Sequence, residues 1–240
     1  MVIAATPRSG STLLFSALQA TGVAAASSSR EALNAPALAP FLTGLSRLRY
    51  WIGRPYSAAV KASSRSVRNA LRSIAAESTT NEGTLTLKVM WFQLRSVLLN
   101  HGLSLNYFGA PITWVRIRRI DRLQQAVSAA RAQQTQRWNA DLPEIQPPTY
   151  NADDISFQLA RLKEEDEKWD AYLAAIGAVP LQVTYEELDA DYEGTVRKVL
   201  DYIGVPTAVI PPRQISRQSD HLNAEWIERY LSTHPGSKGD

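Results

Sequence analysis

The first 22 residues place an anion-binding loop between a buried strand and a helix. Residues 2–6 form a short apolar run that predicts a strand, and residues 9–21 carry apolar side chains at helical spacing before Gly22. The segment that joins them, residues 7–12, reads Pro-Arg-Ser-Gly-Ser-Thr. Unpaired N–H groups at the start of a helix point outward, and the helix dipole favours negative charge there. This order of elements therefore predicts that an anion binds at the loop.

The loop departs from the nucleotide-binding pattern GxxxxGK[ST] in two places. Ala5 stands where that pattern has its first glycine, and Ser11 stands where it has the lysine that reaches the β- and γ-phosphates. The positive charge lies instead at Arg8, inside the loop. This change argues against phosphoryl transfer from ATP and favours another anionic group, with a degenerate P-loop kinase as the alternative.

Further along the chain, strand patterns alternate with helix patterns. Strands are predicted at 85–90, 112–117 and 180–185, and helices at 121–138 with Asp121 as N-cap, 153–176, 192–203 and 225–231. Such alternation is typical of a parallel sheet with helices on both faces, which binds ligands at the carboxyl ends of its strands. We therefore expect a single α/β domain of the P-loop type over residues 1–240.

Charge is unevenly distributed, although the net charge is only +3. Residues 1–150 hold 17 Lys and Arg against 6 Asp and Glu, whereas residues 151–240 hold 9 against 17. The first part is therefore expected to face an anion, such as a nucleotide, a nucleic acid or an anionic surface. The chain has no Cys, and its three His lack metal-ligand spacing, so we expect chemistry without a metal ion. The apolar runs are shorter than the ~18 residues of a membrane helix, and we expect a cytoplasmic protein.

A basic segment over residues 32–80 is predicted to be a helical insertion. Lys61, Arg65, Arg68 and Arg72 recur at helical spacing, and residues 32–76 contain no acidic side chain. One interpretation is a solvated helix face, and the other is a lid that covers an anionic substrate or the acceptor. A polyanion-binding module without turnover is the corresponding non-enzymatic alternative.

Four segments together resemble the PAPS-dependent sulfotransferases, most closely the bacterial carbohydrate branch with its trehalose- and glycolipid-type enzymes. The loop at residues 6–13 is similar to the 5′-phosphosulfate loop of that family, and residues 88–91 (Lys-Val-Met-Trp) are similar to a family strand. Residues 119–128 with Arg131 resemble the segment that binds the 3′-phosphate. Residues 217–230 resemble the C-terminal signature.

The resemblance implies that the donor is PAPS (3′-phosphoadenosine-5′-phosphosulfate) and that adenosine 3′,5′-bisphosphate is the product. Residues implied to bind the donor are Pro7, Arg8, Ser9, Gly10, Ser11, Thr12, Arg119, Ser128 and Arg217. The implied acceptor is a hydroxyl of a small carbohydrate or glycolipid-type molecule. Members of this branch can form homodimers, so a homodimer is compatible with the resemblance, whereas nucleic acid and a transmembrane segment are not expected.

The resemblance also implies three catalytic side chains. Arg8 occupies the position of a catalytic lysine in many family members and would stabilise the leaving phosphate. Lys88 would contact the sulfuryl oxygens or the acceptor. Glu31 is the only acidic residue before Glu77 and would be the general base for the acceptor hydroxyl, with His101 and His221 as the alternatives.

Overall fold

Four parallel strands form the centre of the protein. The computed structural model describes residues 1–25, 33, 64–138, 142–205, 209–213 and 221–235. The strands are β1 (Val2–Ala5), β2 (Leu87–Met90), β3 (Trp114–Arg118) and β4 (Leu181–Thr184). They are arranged in the order β2-β1-β3-β4. The predicted α/β class with a parallel sheet is therefore confirmed.

Seven helices accompany these strands within the described ranges. They are α1 (Ser11–Ala20), α2 (Ser64–Ser78), α3 (Arg122–Thr135), α4 (Ala152–Ala175), α5 (Tyr185–Ala190), α6 (Tyr192–Tyr202) and α7 (His221–Thr233). Short helical turns cover Trp91–Gln93, Leu94–Leu98, Leu99–His101 and Leu105–Phe108. None of the described helices combines the length and the apolar composition that are needed to cross a membrane.

The predicted helix boundaries are close to the observed ones, with two differences of note. Asp121 is the N-cap of α3, because its carboxylate accepts a hydrogen bond from the Gln124 N–H at 2.8 Å. The same helix ends at Thr135 rather than at residue 138, because Gln136 adopts a left-handed conformation with φ 56°. The prediction of 225–231 for the last helix was too short, since α7 begins at His221.

Helices cover both faces of the sheet because side chains of β1 alternate between them. Ile3 and Ala5 pack with apolar residues of α1 and α6, whereas Val2 and Ala4 pack with those of α2 and α4. All four residues of β1 are buried, as expected for a central parallel strand. A third apolar cluster joins α3, α4 and α7 around Trp226.

Two arginines of β3 fasten the sheet to α4. Arg116 is fully buried and pairs with Asp166, which also binds Arg122, whereas Arg118 pairs with Asp170 at the surface. The indole N–H of Trp169 donates to the Ala5 carbonyl at 2.9 Å, at the end of β1. These side chains therefore hold α4 against the carboxyl half of the sheet.

The direction of winding changes between β1 and β3, the two central strands of the sheet. From β1 the chain continues to β2 on one side, and then crosses to β3 on the other side. Parallel sheets bind their ligands where the direction of winding changes in this way. The loops that follow β1 and β3 are therefore the expected walls of the site.

Candidate active site

The loop between β1 and α1 holds an unusual backbone conformation. Residues 6–10 form this loop, in which Arg8 has φ 63° and Gly10 has φ 81°. A left-handed conformation costs a residue with a side chain roughly 1–2 kcal/mol, which glycine avoids. Strain of this kind concentrates at ligand-binding sites, where the surrounding structure maintains it. The loop geometry is therefore consistent with the predicted anion site.

Gly10 is in close contact with Tyr185, which begins α5 directly after β4. A Cβ atom at residue 10 would lie 2.6 Å from Cδ2 of the Tyr185 ring. On the same ring, the guanidinium carbon of Arg119 lies 4.4 Å from the ring centre, which is a cation–π contact. Tyr185 therefore lies between the first loop and the arginine that follows β3.

Arg8 joins the loop to α3. Its Nε–H donates to Ser128 Oγ at 2.8 Å, and its Nη1 donates to the Trp138 carbonyl at 2.7 Å. Arg119 donates from Nη1 to the Arg8 carbonyl at 3.3 Å and also binds the Gln124 side chain. The structure thus brings together Arg8, Arg119 and Ser128, three residues selected from the sequence, although they lie up to 120 positions apart.

Positive charge accumulates around Arg8. Burial is the largest cause of an Arg8 pKa lowered to about 10, and the adjacent charge of Arg119 is the next cause. Arg131 and Arg137 also lower this pKa, whereas Tyr185 raises it. At neutral pH, Arg8 remains protonated, so its guanidinium is repelled by the charges of Arg119, Arg131 and Arg137. An anion bound among them relieves that repulsion.

The remaining loop side chains supply hydroxyl groups. The Lys88 ammonium is buried and donates to Thr12 Oγ1 at 3.0 Å, which places this lysine beside the start of α1. Ser9 and Ser11 are buried as well. Among the described residues, none forms a hydrogen bond with the Ser9 Oγ. Buried polar atoms normally have partners, so this hydroxyl is suited to a ligand oxygen.

Gln125 and Glu186 hold the backbone on either side of this site, and neither residue was predicted from the sequence. Gln125 donates from Nε2 to the Pro7 carbonyl at 2.7 Å and to Thr6 Oγ1 at 3.1 Å, which fixes the beginning of the loop. Glu186 accepts the N–H groups of the two residues that follow Arg119. Tyr185 ends the strand predicted at 180–185 and Glu186 follows it, so their position at the carboxyl edge of the sheet was the available signal.

The three arginines at 116, 118 and 119 have different surroundings. Strand alternation predicts Arg116 and Arg118 on the opposite strand face from Arg119, and both pair with acidic residues of α4. Arg119 alone turns toward the loop. Within the described ranges, no group of three or more His, Asp or Glu side chains is arranged to hold a metal ion.

Several predicted site residues lie outside the described residues. These are Glu31, Arg217 and most of the basic segment 32–80. In the described end of that segment, α2 packs Val67, Leu71 and Ile74 into the core and leaves Arg68 and Arg72 exposed. Those two arginines therefore lie on an exposed helix face, and the role of the basic segment stays a prediction.

Comparison with known proteins gives one family and two curated relatives. A family model described as Stf0 sulphotransferase matches residues 1–233. The trehalose 2-sulfotransferase of Mycobacterium tuberculosis is 31% identical over 129 residues, which are 53% of this chain and 48% of that protein. The trehalose 2-sulfotransferase of Mycolicibacterium smegmatis is 30% identical over 124 residues, 51% of this chain and 46% of that protein. The matched part spans about half the length of these relatives.

Proposed function

The chain belongs to the Stf0 sulphotransferase family, and from that membership we propose that it transfers a sulfuryl group from PAPS to a hydroxyl of a carbohydrate or glycolipid-type acceptor. Both curated relatives are named for transfer to the sugar trehalose, which supports a sugar hydroxyl as the acceptor class. Residues 32–80, where we expect acceptor specificity, are the part that diverges from the family pattern, so trehalose itself is not assumed.

The single observation that carries this proposal is that Arg119, which follows β3, binds the backbone of Arg8 in the loop after β1. The charges of Arg119, Arg131 and Arg137 all lower the pKa of Arg8, and the Arg8 guanidinium binds Ser128. The product of PAPS carries two separate phosphate groups, so it needs more positive charge than a single helix terminus provides. The buried Ser9 hydroxyl and the clustered guanidinium groups fit such a ligand.

Residues of the loop after β1 and of the neighbouring strands have separate roles in the proposed transfer. PAPS supplies the sulfuryl group, which forms a bond to the acceptor oxygen as its bond to the 5′-phosphate breaks. Arg8 and the N–H groups at the start of α1 hold the 5′-phosphate and neutralise its developing charge. Lys88 lies beside Thr12 and stabilises the sulfuryl oxygens. Arg119 and Ser128 bind the 3′-phosphate.

The acceptor proton requires a base, and Glu31 is the proposed one. A carboxylate near the acceptor hydroxyl removes its proton as the oxygen attacks sulfur. Arg217 is proposed as a further ligand of the phosphate. Both residues lie outside the described residues, and their roles remain predictions from the family resemblance.

Calorimetric binding tests the donor. The protein should bind adenosine 3′,5′-bisphosphate at least ten-fold more tightly than AMP, because a charge-assisted contact to the second phosphate contributes roughly 1.5–3 kcal/mol. Arg119→Ala should remove this preference, whereas Arg118→Ala should keep it, because Arg118 faces α4. A preference for ATP over the bisphosphate would favour a kinase instead. Binding of heparin without nucleotide preference would favour a polyanion-binding module.

Transfer is tested with the intact protein, radiolabelled PAPS and a panel of sugars and glycolipids that includes trehalose. We expect label in at least one hydroxylated acceptor. Bisphosphate binding without transfer to any member of the panel would remove the sugar acceptor from the proposal and leave the donor intact. The possible homodimer is measured separately by light scattering.

A further inference from the structure

We propose that the junction between β4 and α5 sets the distance between the two phosphate-binding elements, with Glu186 as the positioning residue for Arg119. This inference rests on the proposed function and concerns how the site distinguishes a nucleotide with two separate phosphates from one with a single phosphate. The junction consists of Tyr185 and Glu186, and neither side chain is required to touch the reacting atoms.

Both carboxylate oxygens of Glu186 accept hydrogen bonds from the backbone immediately after Arg119. The Ile120 N–H donates to Oε2 at 3.0 Å, and the Asp121 N–H donates to Oε1 at 3.2 Å. The last residues of the two strands, Arg118 and Thr184, are register partners, so the chain leaves both strands side by side. Hydrogen bonds to a charged group are about twice as strong as neutral ones. The carboxylate therefore fixes the turn from which the Arg119 side chain emerges.

Tyr185 extends the same junction to the other phosphate-binding element. Its ring lies under the Arg119 guanidinium and against Gly10, at the N-cap of α1. One dipeptide thus contacts the turn after β3, the Arg119 side chain and the loop after β1. Because the ring is rigid and both contacts are close, the separation of loop and arginine is determined by Tyr185 and Glu186.

Helix capping does not explain the Glu186 carboxylate. The α3 helix already has its N-cap in Asp121, which accepts from the Gln124 N–H. The α5 helix has a reciprocal cap, in which Thr184 Oγ1 accepts the Glu187 N–H and Glu187 accepts the Thr184 N–H at 2.8 Å. Glu186 therefore connects two helices that are each capped without it.

The neighbouring Glu187 provides a matched control. It has the same charge, lies in the first turn of the same helix and also accepts a backbone N–H, but this N–H belongs to Thr184 rather than to the turn after Arg119. Glu186→Gln keeps the shape while it replaces one acceptor oxygen with an N–H₂ group that opposes a backbone N–H. Calorimetry on wild type, Glu186→Gln and Glu187→Gln measures the affinities for adenosine 3′,5′-bisphosphate and for AMP, and thermal melting monitors folding.

We expect Glu186→Gln to reduce the preference for bisphosphate over AMP by roughly 10-fold, mainly through weaker bisphosphate binding. The reason is that a displaced Arg119 guanidinium contributes little to binding of the 3′-phosphate. Glu187→Gln should keep the wild-type preference. The Glu186→Asp variant keeps the charge on a shorter side chain, so its preference for bisphosphate should lie between those of the other two variants. It replaces Glu186→Gln in the experiment if that variant fails to fold.

Three results would overturn this inference, and they are distinguishable. If the wild-type protein binds both nucleotides with equal affinity, the proposed donor is wrong, and the positioning role of Glu186 is refuted as well. If wild type shows the preference and Glu186→Gln retains it within about two-fold, only the positioning role is wrong. Equal losses in the Glu186 and Glu187 variants would show that the stability of α5, rather than the turn after Arg119, controls the preference.

Discussion

Replacing Gly10 with Ala tests whether the Tyr185 contact shapes the phosphate loop. Gly10 is the N-cap of α1 and has φ 81°. The new methyl group would meet Tyr185 Cδ2 at 2.6 Å, with the Tyr185 Cβ and Cγ atoms at 3.5 Å. Non-bonded carbon atoms prefer a separation of about 3.5–4.0 Å, so the Tyr185 ring has to move away from residue 10 by about 1 Å. That movement disturbs the ring on which Arg119 rests.

Two separate effects should lower the free energy of unfolding of Gly10→Ala. The left-handed conformation penalises any Cβ by roughly 1–2 kcal/mol. Overpacking against a fixed ring adds about 1–3 kcal/mol. Gly10→Ala should therefore lower the free energy of unfolding by about 2–5 kcal/mol. Domains have a total stability of about 5–15 kcal/mol, so the variant should fold at the lower end of this cost.

Gly22 supplies the matched control at the opposite end of the same helix. It follows the C-cap of α1 and has φ 82°, but among the described residues beyond its chain neighbours no atom lies within 4 Å of the position of its Cβ. Gly22→Ala should therefore cost only the conformational part, roughly 1–2 kcal/mol. Urea denaturation measures both costs, and calorimetry measures bisphosphate affinity, which should fall for Gly10→Ala alone. Unfolding free energies of the two variants that agree within about 0.5 kcal/mol would refute the argument.

Three further predictions concern charged residues. Arg8→Ala should weaken bisphosphate binding by about 10- to 100-fold and slow transfer as well, because the phosphate is present in both the ground and the transition state; unchanged calorimetric affinity would contradict this role. Glu31→Gln should leave bisphosphate affinity unchanged while turnover in the transfer assay falls by about 10²–10⁴-fold, and retention of more than about a third of the activity would exclude Glu31 as the base. Asp166→Ala should destabilise the fold by about 3–5 kcal/mol in urea denaturation, because it removes the carboxylate that forms a hydrogen bond with the buried Arg116. Asp170→Ala should cost less than about 1 kcal/mol, because Asp170 is half exposed and lies 3.9 Å from Arg116; equal costs would contradict the structural role of Asp166.

Local patterns were sufficient for the elements of the fold and for the position of the loop. The parallel strands, the loop after β1 and the Asp121 cap all follow from side chains within a few positions of one another. Strand periodicity, a helix start and an N-cap are interactions of near neighbours, so a sequence carries them directly. The family resemblance added Arg119 and Ser128, which the structure places beside Arg8.

The tertiary structure decided which partner each charged group takes. Strand alternation in the sequence separates Arg116 and Arg118 from Arg119, but only the tertiary structure pairs the first two with acidic residues of α4 and turns Arg119 toward the loop. Tyr185 and Glu186 were not identified because their partners are Gly10, Arg119 and the turn 120–121, about 65 or more residues away along the chain. Such contacts exist only after β1, β3 and β4 have paired side by side, because strand pairing brings distant loops to one edge of the sheet.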